Sequence, residues 1–224
     1  MKTLGIIPAR GGSKAIPRKN LVILGGKPLL RWTCEAATKS KLDRIIVSTD
    51  DKEIAKVAES SGVEVPFVRP PELSADSSLT IDVVIHAITQ LGDTFDAVMV
   101  LQPTSPFRTT DDINKCISLL RDSEADSVIS VVDVGGHHPA RMKFLEGGLL
   151  IDPPYAESCE NQPRQELQPM YIRNGAVYLT HVPVLMQGSF KGDSSIGYVM
   201  PPERSTNIDI PFDVTVAEAL LHTT

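Results

Sequence analysis

The first twenty residues constrain the chain most. Thr3 to Ala9 (TLGIIPA) is a nearly unbroken apolar run, and it opens into Arg10-Gly11-Gly12-Ser13-Lys14-Ala15-Ile16-Pro17-Arg18-Lys19-Asn20, a segment with four cations and no acid. An apolar run of this length ending in turn residues reads as a buried strand, which here delivers a basic, glycine-broken loop to a sheet edge. Paired glycines let backbone N–H groups approach an anion with no Cβ in the way, and two Arg with two Lys supply the charge that phosphate oxygens require. The segment predicts a polyphosphate-binding loop. The plain alternative is a solvated basic turn, and the buried strand ahead of it argues against that. Because the glycines are adjacent and Lys14 follows Ser13, the spacing matches neither G-x-x-x-x-G-K-[ST] nor G-x-G-x-x-G. A Walker-type ATPase and a plain dinucleotide fold are therefore disfavoured.

Charge supports a small anionic ligand. The net charge is −6, yet up to Arg31 the chain has seven cations (Lys2, Arg10, Lys14, Arg18, Lys19, Lys27, Arg31) and no acid, the first being Glu35. The remaining 15 cations face 28 acids, so the positive field is local to the N-terminal strand and loop. A nucleic-acid polymer would need a wider basic face, and no nucleic-acid partner is expected. Cys34, Cys116 and Cys159 lie far apart with no C-x-x-C spacing, which indicates neither a zinc site nor a disulfide framework. Cys34 and Cys116 fall in helical patterns and read as small core residues. With no apolar run of membrane-span length and no signal-peptide core, the expected setting is cytoplasmic, away from the membrane.

At 224 residues the chain is long enough for one large domain. Strands are expected at Thr3–Ala9, Arg44–Thr49, Val63–Val68, Asp96–Leu101, Ser127–Val134, Ala176–Thr180 and Ile196–Met200. Helices are expected at Leu29–Lys39, Lys52–Ser61 behind a capping Asp50-Asp51, Leu79–Leu91, Asp111–Arg121 and Val214–Leu221. The alternation is that of a mostly parallel sheet with helices on both faces, a Rossmann-like α/β three-layer sandwich. In the helix at Leu79–Leu91 the apolar positions are Ile81, Val84, Ile85, Ile88 and Leu91, and His86 among them reads as a tolerated helix residue. From Gly135 to Asn174 the rhythm breaks: five prolines and scattered charges replace any long period. Residues 135–174 read as an inserted arm within a single domain spanning 1–224.

Ligands of open parallel sheets bind beyond the carboxyl ends of the strands. The residues expected there are Arg10 to Asn20, Arg69, Gln102 to Ser105, Arg164, Asn174 and Asp209. Their chemistry suits nucleotidyl transfer: cations and glycine N–H groups hold a triphosphate, a carboxylate holds magnesium, and amides or hydroxyls read a base or sugar. Asp209 and Asp213 offer hard oxygen ligands and Asn207 a carbonyl oxygen. For Asp213, directly before the last helix, a capping role is the competing reading and the favoured one.

The motifs I-I-P-A-R-G-G-S-K-x-x-P-x-K-N (Ile6 to Asn20), V-S-T-D (Val47 to Asp50), R-P (Arg69-Pro70), L-Q-P-T-S-P (Leu101 to Pro106), R-Q…Y-x-x-N-G-A-x-Y (Arg164 to Tyr178) and I-D-I-P-F-D-x-x-x-A-E (Ile208 to Glu218) run in family order. Together they resemble the CMP-sialic acid synthetases, the acylneuraminate cytidylyltransferases. The resemblance implies a homodimeric nucleotidyltransferase that joins CTP to a nine-carbon 2-keto-3-deoxy sugar acid with Mg²⁺ as cofactor. It places Ala9, Arg10, Gly11, Gly12, Ser13, Lys14, Lys19, Asn20 and Arg69 on the nucleotide. Gln102, Thr104, Ser105, Arg164, Asn174 and Tyr178 fall to the sugar acid, with the arm forming the dimer. Arg10, Lys19 and Asp209 become the candidate catalytic groups, and Asp209, Asn207 and Asp213 the candidate metal ligands. Two positions depart from the family pattern. Asn207 stands where the family often has the first Asp of Asp-x-Asp, and Ile172 stands where some members have an arginine, with Arg173 one place later. Other acceptors of the same chemical type are legionaminate, pseudaminate and 3-deoxy-manno-octulosonate. A nonenzymatic nucleotide-sensing module is the rival of another class, whereas a metal-dependent glycosyltransferase finds only a poor match in Thr49-Asp50-Asp51.

Overall fold

A computed structural model describes residues 1–222. In chain order the elements are β1 (Thr3–Pro8), β2 (Ile23–Leu24), β3 (Lys27–Pro28), α1 (Leu29–Thr38), β4 (Arg44–Ser48), α2 (Lys52–Ser60) and α3 (Thr80–Leu91). There follow β5 (Ala97–Val100), α4 (Thr110–Arg121), β6 (Ser127–Asp133), β7 (Phe144–Glu146) and β8 (Leu149–Ile151). The chain ends with β9 (Tyr171–His181), α5 (Val182–Met186), β10 (Ser195–Val199) and α6 (Pro211–Leu221). Six strands form one sheet in the order β10-β6-β9-β5-β1-β4, with every pair parallel except those of β9, which runs antiparallel to β5 and β6. This is the mixed α/β, mostly parallel sheet that the sequence pattern predicts.

The apolar strands alternate between two cores. Ile7, Ala97 and Met99 face a core shared with Leu30 and Cys34 of α1, Ile54 and Ala58 of α2, and Ile113, Cys116 and Leu120 of α4. Leu4, Ile6, Val98 and Val100 face the other, shared with Val84 and Ala87 of α3 and Leu185 of α5. Burial on both faces is why these strands carry unbroken apolar sequence. Burial also pushes the thiols of Cys34 and Cys116 up to about 12, as inert core residues require. A third cluster, Ile16, Leu24, Leu29, Ile208 and Ala217, ties α6 to the basic loop and the small β2–β3 hairpin.

Two expectations are corrected. Val63–Val68 is not a strand; it touches β4 and its C-terminal neighbour only through isolated parallel bridges at Glu64 and Val68. Pro66 between them has no N–H to give a ladder. The expected stripe of α3 holds at Val84, buried in the core beside Ala87, and at Ile81, Ile88 and Leu91, which pack against the same core. The last long strand begins at Tyr171 rather than Ala176.

Candidate active site

A cavity of about 410 Å³ opens at the carboxyl ends of β1 and β5. Its walls come from the loop after β1 (Arg10, Gly12, Ser13, Lys19, Asn20), from Arg69, and from the loop after β5 (Gln102, Pro103, Thr104). The segment 207–209 contributes Asn207 and Asp209, and the stretch into α3 contributes Leu73, Asp76, Ser78, Thr80 and Val83.

The basic loop is shaped by the chain segment after β4. Gly11 N–H donates to Asp50 Oδ1 at 2.9 Å, and a Cβ on Gly11 would lie 2.9 Å from that of Asp51, so a side chain has no room. Arg18 sits in the left-handed region at φ 53° and pairs with Asp51 at 2.9 Å and Glu53 at 2.9 Å. Asp51 also caps α2 by accepting from the N–H groups of Glu53 and Ile54. Burial would raise the Asp51 carboxyl, but these N–H groups and Arg18 outweigh it and hold it below its ordinary value. Asn20 donates to Arg10 O at 2.9 Å and closes the loop. Gly11, Arg18 and Asn20 thus fix the loop's path, while Gly12 and Ser13 stay at the cavity wall.

Three further cations of the basic loop are held by acids, and of these Arg10 and Lys19 line the cavity. Arg10 and Lys14 both reach Asp76, at 2.8 and 2.7 Å, and Lys19 reaches Asp209 at 2.9 Å. Arg69 is 4 % exposed and donates to the hydroxyl and backbone carbonyl of Ser48. Burial pulls its guanidinium down to about 10, against the opposing pull of Asp50, with Arg10 adding to the fall. Asp209 also accepts from Asn207 Nδ2 through its second oxygen. Asn207 Oδ1 is buried with no hydrogen-bond partner. The segment is docked by Ile208, whose N–H donates to Thr104 O at 2.8 Å.

The remaining candidates stand away from the cavity wall. Ser105 is fully buried and donates to Asn174 O at 3.1 Å. Asn174 accepts from Ser130 and from Ala176 N–H, and donates to Ser205 at 2.9 Å, so its amide is committed inside the protein. Tyr178 packs its ring on Phe190 with centroids 5.7 Å apart, and burial raises its hydroxyl. Arg164 lies exposed, paired with Asp133 at 3.2 Å. Asp213 accepts from the N–H groups of Asp209 and Ile210, both at 2.8 Å, at the start of α6. Ala9 is buried beneath the loop. Sequence reasoning did not find Asp76, Ser78, Thr80 or Val83. The polar, proline-rich stretch between Arg69 and α3 marks a long loop, but nothing in it singles out Asp76.

Comparison with known proteins places this geometry. The cytidylyltransferase family model matches residues 4–174. A CMP-N,N'-diacetyllegionaminic acid synthase of Legionella pneumophila is 34% identical over 228 residues, covering 99% of this chain and 97% of the relative. N-acylneuraminate cytidylyltransferase A of Danio rerio is 36% identical over 216 residues, covering 95% of this chain and 49% of the relative, so the chain spans about half of that protein. Among solved structures, a CMP:2-keto-3-deoxy-manno-octonic acid synthetase complexed with CTP shares the fold at a TM-score of 0.74 and 18% identity, over 100% of this chain and 99% of the other. With a family model across most of its length and relatives above 30% identity along nearly all of it, the chain belongs to the cytidylyltransferase family.

Proposed function

We propose that the protein is a nucleotidyltransferase that joins CTP to a sialic-acid-like 2-keto-3-deoxy sugar acid, giving a CMP-sugar and pyrophosphate. The observation that carries this is the meeting, in one cavity, of the basic loop (Arg10, Ser13, Lys19), the amide and hydroxyl of Gln102 and Thr104, and the Asp209 carboxylate. A triphosphate on the loop would exchange Asp76 for phosphate oxygens at Arg10, with Lys19 next to the departing pyrophosphate. The anomeric hydroxyl oxygen of the acid then attacks the α-phosphorus in line, its proton passing to water. The bond from that phosphorus to the bridging oxygen breaks, and positioning and charge neutralisation supply most of the acceleration.

The donor set fits one magnesium ion of the kind that takes most of its ligands from phosphate and water. It consists of the Asp209 carboxylate and the unpartnered Asn207 Oδ1, and among the described residues no three His, Cys, Asp or Glu gather as a metal site. Bound there, the ion would neutralise charge on the phosphate oxygens. Lys19 would hold one oxygen of the Asp209 carboxylate at the cavity, and Asn207 would hold the other.

The same reading includes residues 135–174 as a dimer arm and a homodimer as the working form. It also includes a reducing, cytoplasmic setting, which three free cysteines support. No helix among the described residues is long and apolar enough to cross a membrane. Legionaminate is a second candidate acceptor, favoured because the relative matched along its whole length is a legionaminic acid synthase. The test is incubation with CTP, Mg²⁺ and N-acetylneuraminate, legionaminate, pseudaminate or 3-deoxy-manno-octulosonate, following pyrophosphate. Release with one nonulosonate supports the reading, and tight CTP binding without release for any acid would favour the sensing module. Asp209→Ala should abolish turnover and Arg10→Ala should weaken CTP binding. Normal turnover in the first variant would sink the metal assignment, and unchanged CTP affinity in the second the loop assignment.

A further inference from the structure

Arg108 follows the loop after β5 and points away from the cavity into the protein, where it is 3 % exposed. Its Nη1 donates to three backbone carbonyls: Ala176 O at 2.9 Å, Ser105 O at 3.2 Å and Gln102 O at 3.4 Å. Its Nη2 donates to Thr33 Oγ1 of α1 at 2.8 Å, and its Nε has no partner. Asp112 is the nearby acid, but its oxygens are taken by Thr109, Tyr198 and Arg204. A buried guanidinium without a bonded carboxylate is costly, and a core could fill this space with an apolar side chain.

What Arg108 gains is geometry. The carbonyls it gathers belong to the loop bearing Gln102 and Thr104 and to the bulge of β9 that bears Gly175. At Gly175, φ is +76° and a built Cβ would stand 2.8 Å from Gln102 Oε1 and 3.6 Å from Asn207 Oδ1. Gln102 is therefore seated on the β9 bulge, and Arg108 clamps the two backbones that form this seat against α1. A lysine could not do this, because only the planar fork reaches carbonyls on two segments and a hydroxyl on a third.

We infer that Arg108 is a positioning residue for the acceptor side of the site, holding Gln102 at the height where the sugar acid must sit, while the nucleotide loop after β1 is held independently by Asp50 and Asp51. This rests on the proposed transferase reading. A misplacement of about 1 Å at a substrate contact costs roughly 100-fold in turnover. The effect should fall on the acceptor and not on CTP.

The test measures CTP affinity by calorimetry and acceptor kcat/KM by pyrophosphate release in Arg108→Lys, Arg108→Met and Thr33→Val. Thr33→Val is the mild variant, since it keeps side-chain volume and removes only the Nη2 acceptor. The expected result is an acceptor kcat/KM lowered roughly 100-fold in the Arg108 variants and about tenfold in Thr33→Val, with CTP affinity within about twofold of the parent. If the Arg108 variants do not fold, Thr33→Val decides alone. An acceptor term unchanged in Thr33→Val, or CTP affinity falling in step with it, overturns the positioning role. A parent chain that releases no pyrophosphate with any acid overturns the transferase reading and this inference with it. A parent that turns over while its folded variants match it overturns the inference alone.

Discussion

Asp76 stands where a phosphate cradle should repel an acid. It pairs with Arg10 and Lys14, and Lys14 first and Arg10 second hold its carboxyl below the ordinary value, so it stays ionised across the neutral range. The two cations are thus arranged around an anion, and on the proposed reading a triphosphate with several charges would displace this one carboxylate. The competition has a cost in affinity. Asp76→Asn should bind CTP about threefold more tightly at low ionic strength, the range expected for exposed ion pairs, and the advantage should shrink as salt screens both contacts. Calorimetric titration at two salt concentrations checks this, and weaker binding in the variant would make Asp76 a ligand-side contact instead. Neither Asp76 nor Arg108 was legible in the sequence. Each has an ordinary neighbourhood in the chain, and each acquires its role from segments far away: Arg10 for one, Thr33 and Ala176 for the other.

The elements explain what was legible. β1 and β5 declare themselves because both faces are buried, and the β1 loop because cations and glycines crowd a strand end. Val63–Val68 misleads because its apolar residues hide the effect of Pro66, and α5 escapes because five residues with a proline at the second position carry no period. Asn174 and Ser105, expected beside the sugar acid, are spent on joining β9 to the loop after β5, a distinction that residue type alone cannot make. The bulge they secure can be tested. Gly175→Ala puts an L-residue at φ +76° and a methyl against Gln102, with backbone strain of about 1–2 kcal/mol, and should depress acceptor turnover more than CTP affinity. The capping box of α4 is a second joint between elements. Asp112, 1 % exposed, accepts from Thr109, from Tyr198 of β10 at 2.8 Å, and from Arg204, which leads into the 207–209 segment. Burial would raise its carboxyl, but these bonds outweigh it and hold it below the ordinary value. A depressed folded-state value means stability that is fully present above the unfolded carboxylate value of about 4 and lost as pH falls through it toward the lower one. Asp112→Asn should cost about 2 kcal/mol at neutral pH, and the gap in melting temperature to the parent should narrow below about pH 4. A gap that stays constant with pH would show that the carboxylate charge contributes nothing.

At the scale of the whole molecule, the proposal of a dimer arm rests on the β7–β8 hairpin. All six residues of β7 and β8 are exposed, with Leu145 at 73%, Leu149 at 69% and Leu150 at 72%, and an isolated two-stranded hairpin is marginal in water. A second copy of the chain covering these faces would resolve this. Leu145 and Leu150 are register partners on one face, so changing both to Glu should convert a dimer to a monomer in sedimentation while the central sheet keeps its melting transition. The position of Arg164 sharpens the expectation. It pairs with Asp133 outside the cavity of its own chain, so in the proposed dimer a hold on the sugar acid's carboxylate would be exerted across the interface. Arg164→Ala and Asp209→Ala should each be inactive alone. Mixed and re-equilibrated, half of the dimers would be heterodimers, and in each of these one site would combine an intact Asp209 with an intact arginine from the other chain. Recovery of about a quarter of parental turnover is the expected result for such shared two-fold sites. No recovery from a mixture shown to exchange subunits would place Arg164 in its own chain's site or outside catalysis altogether.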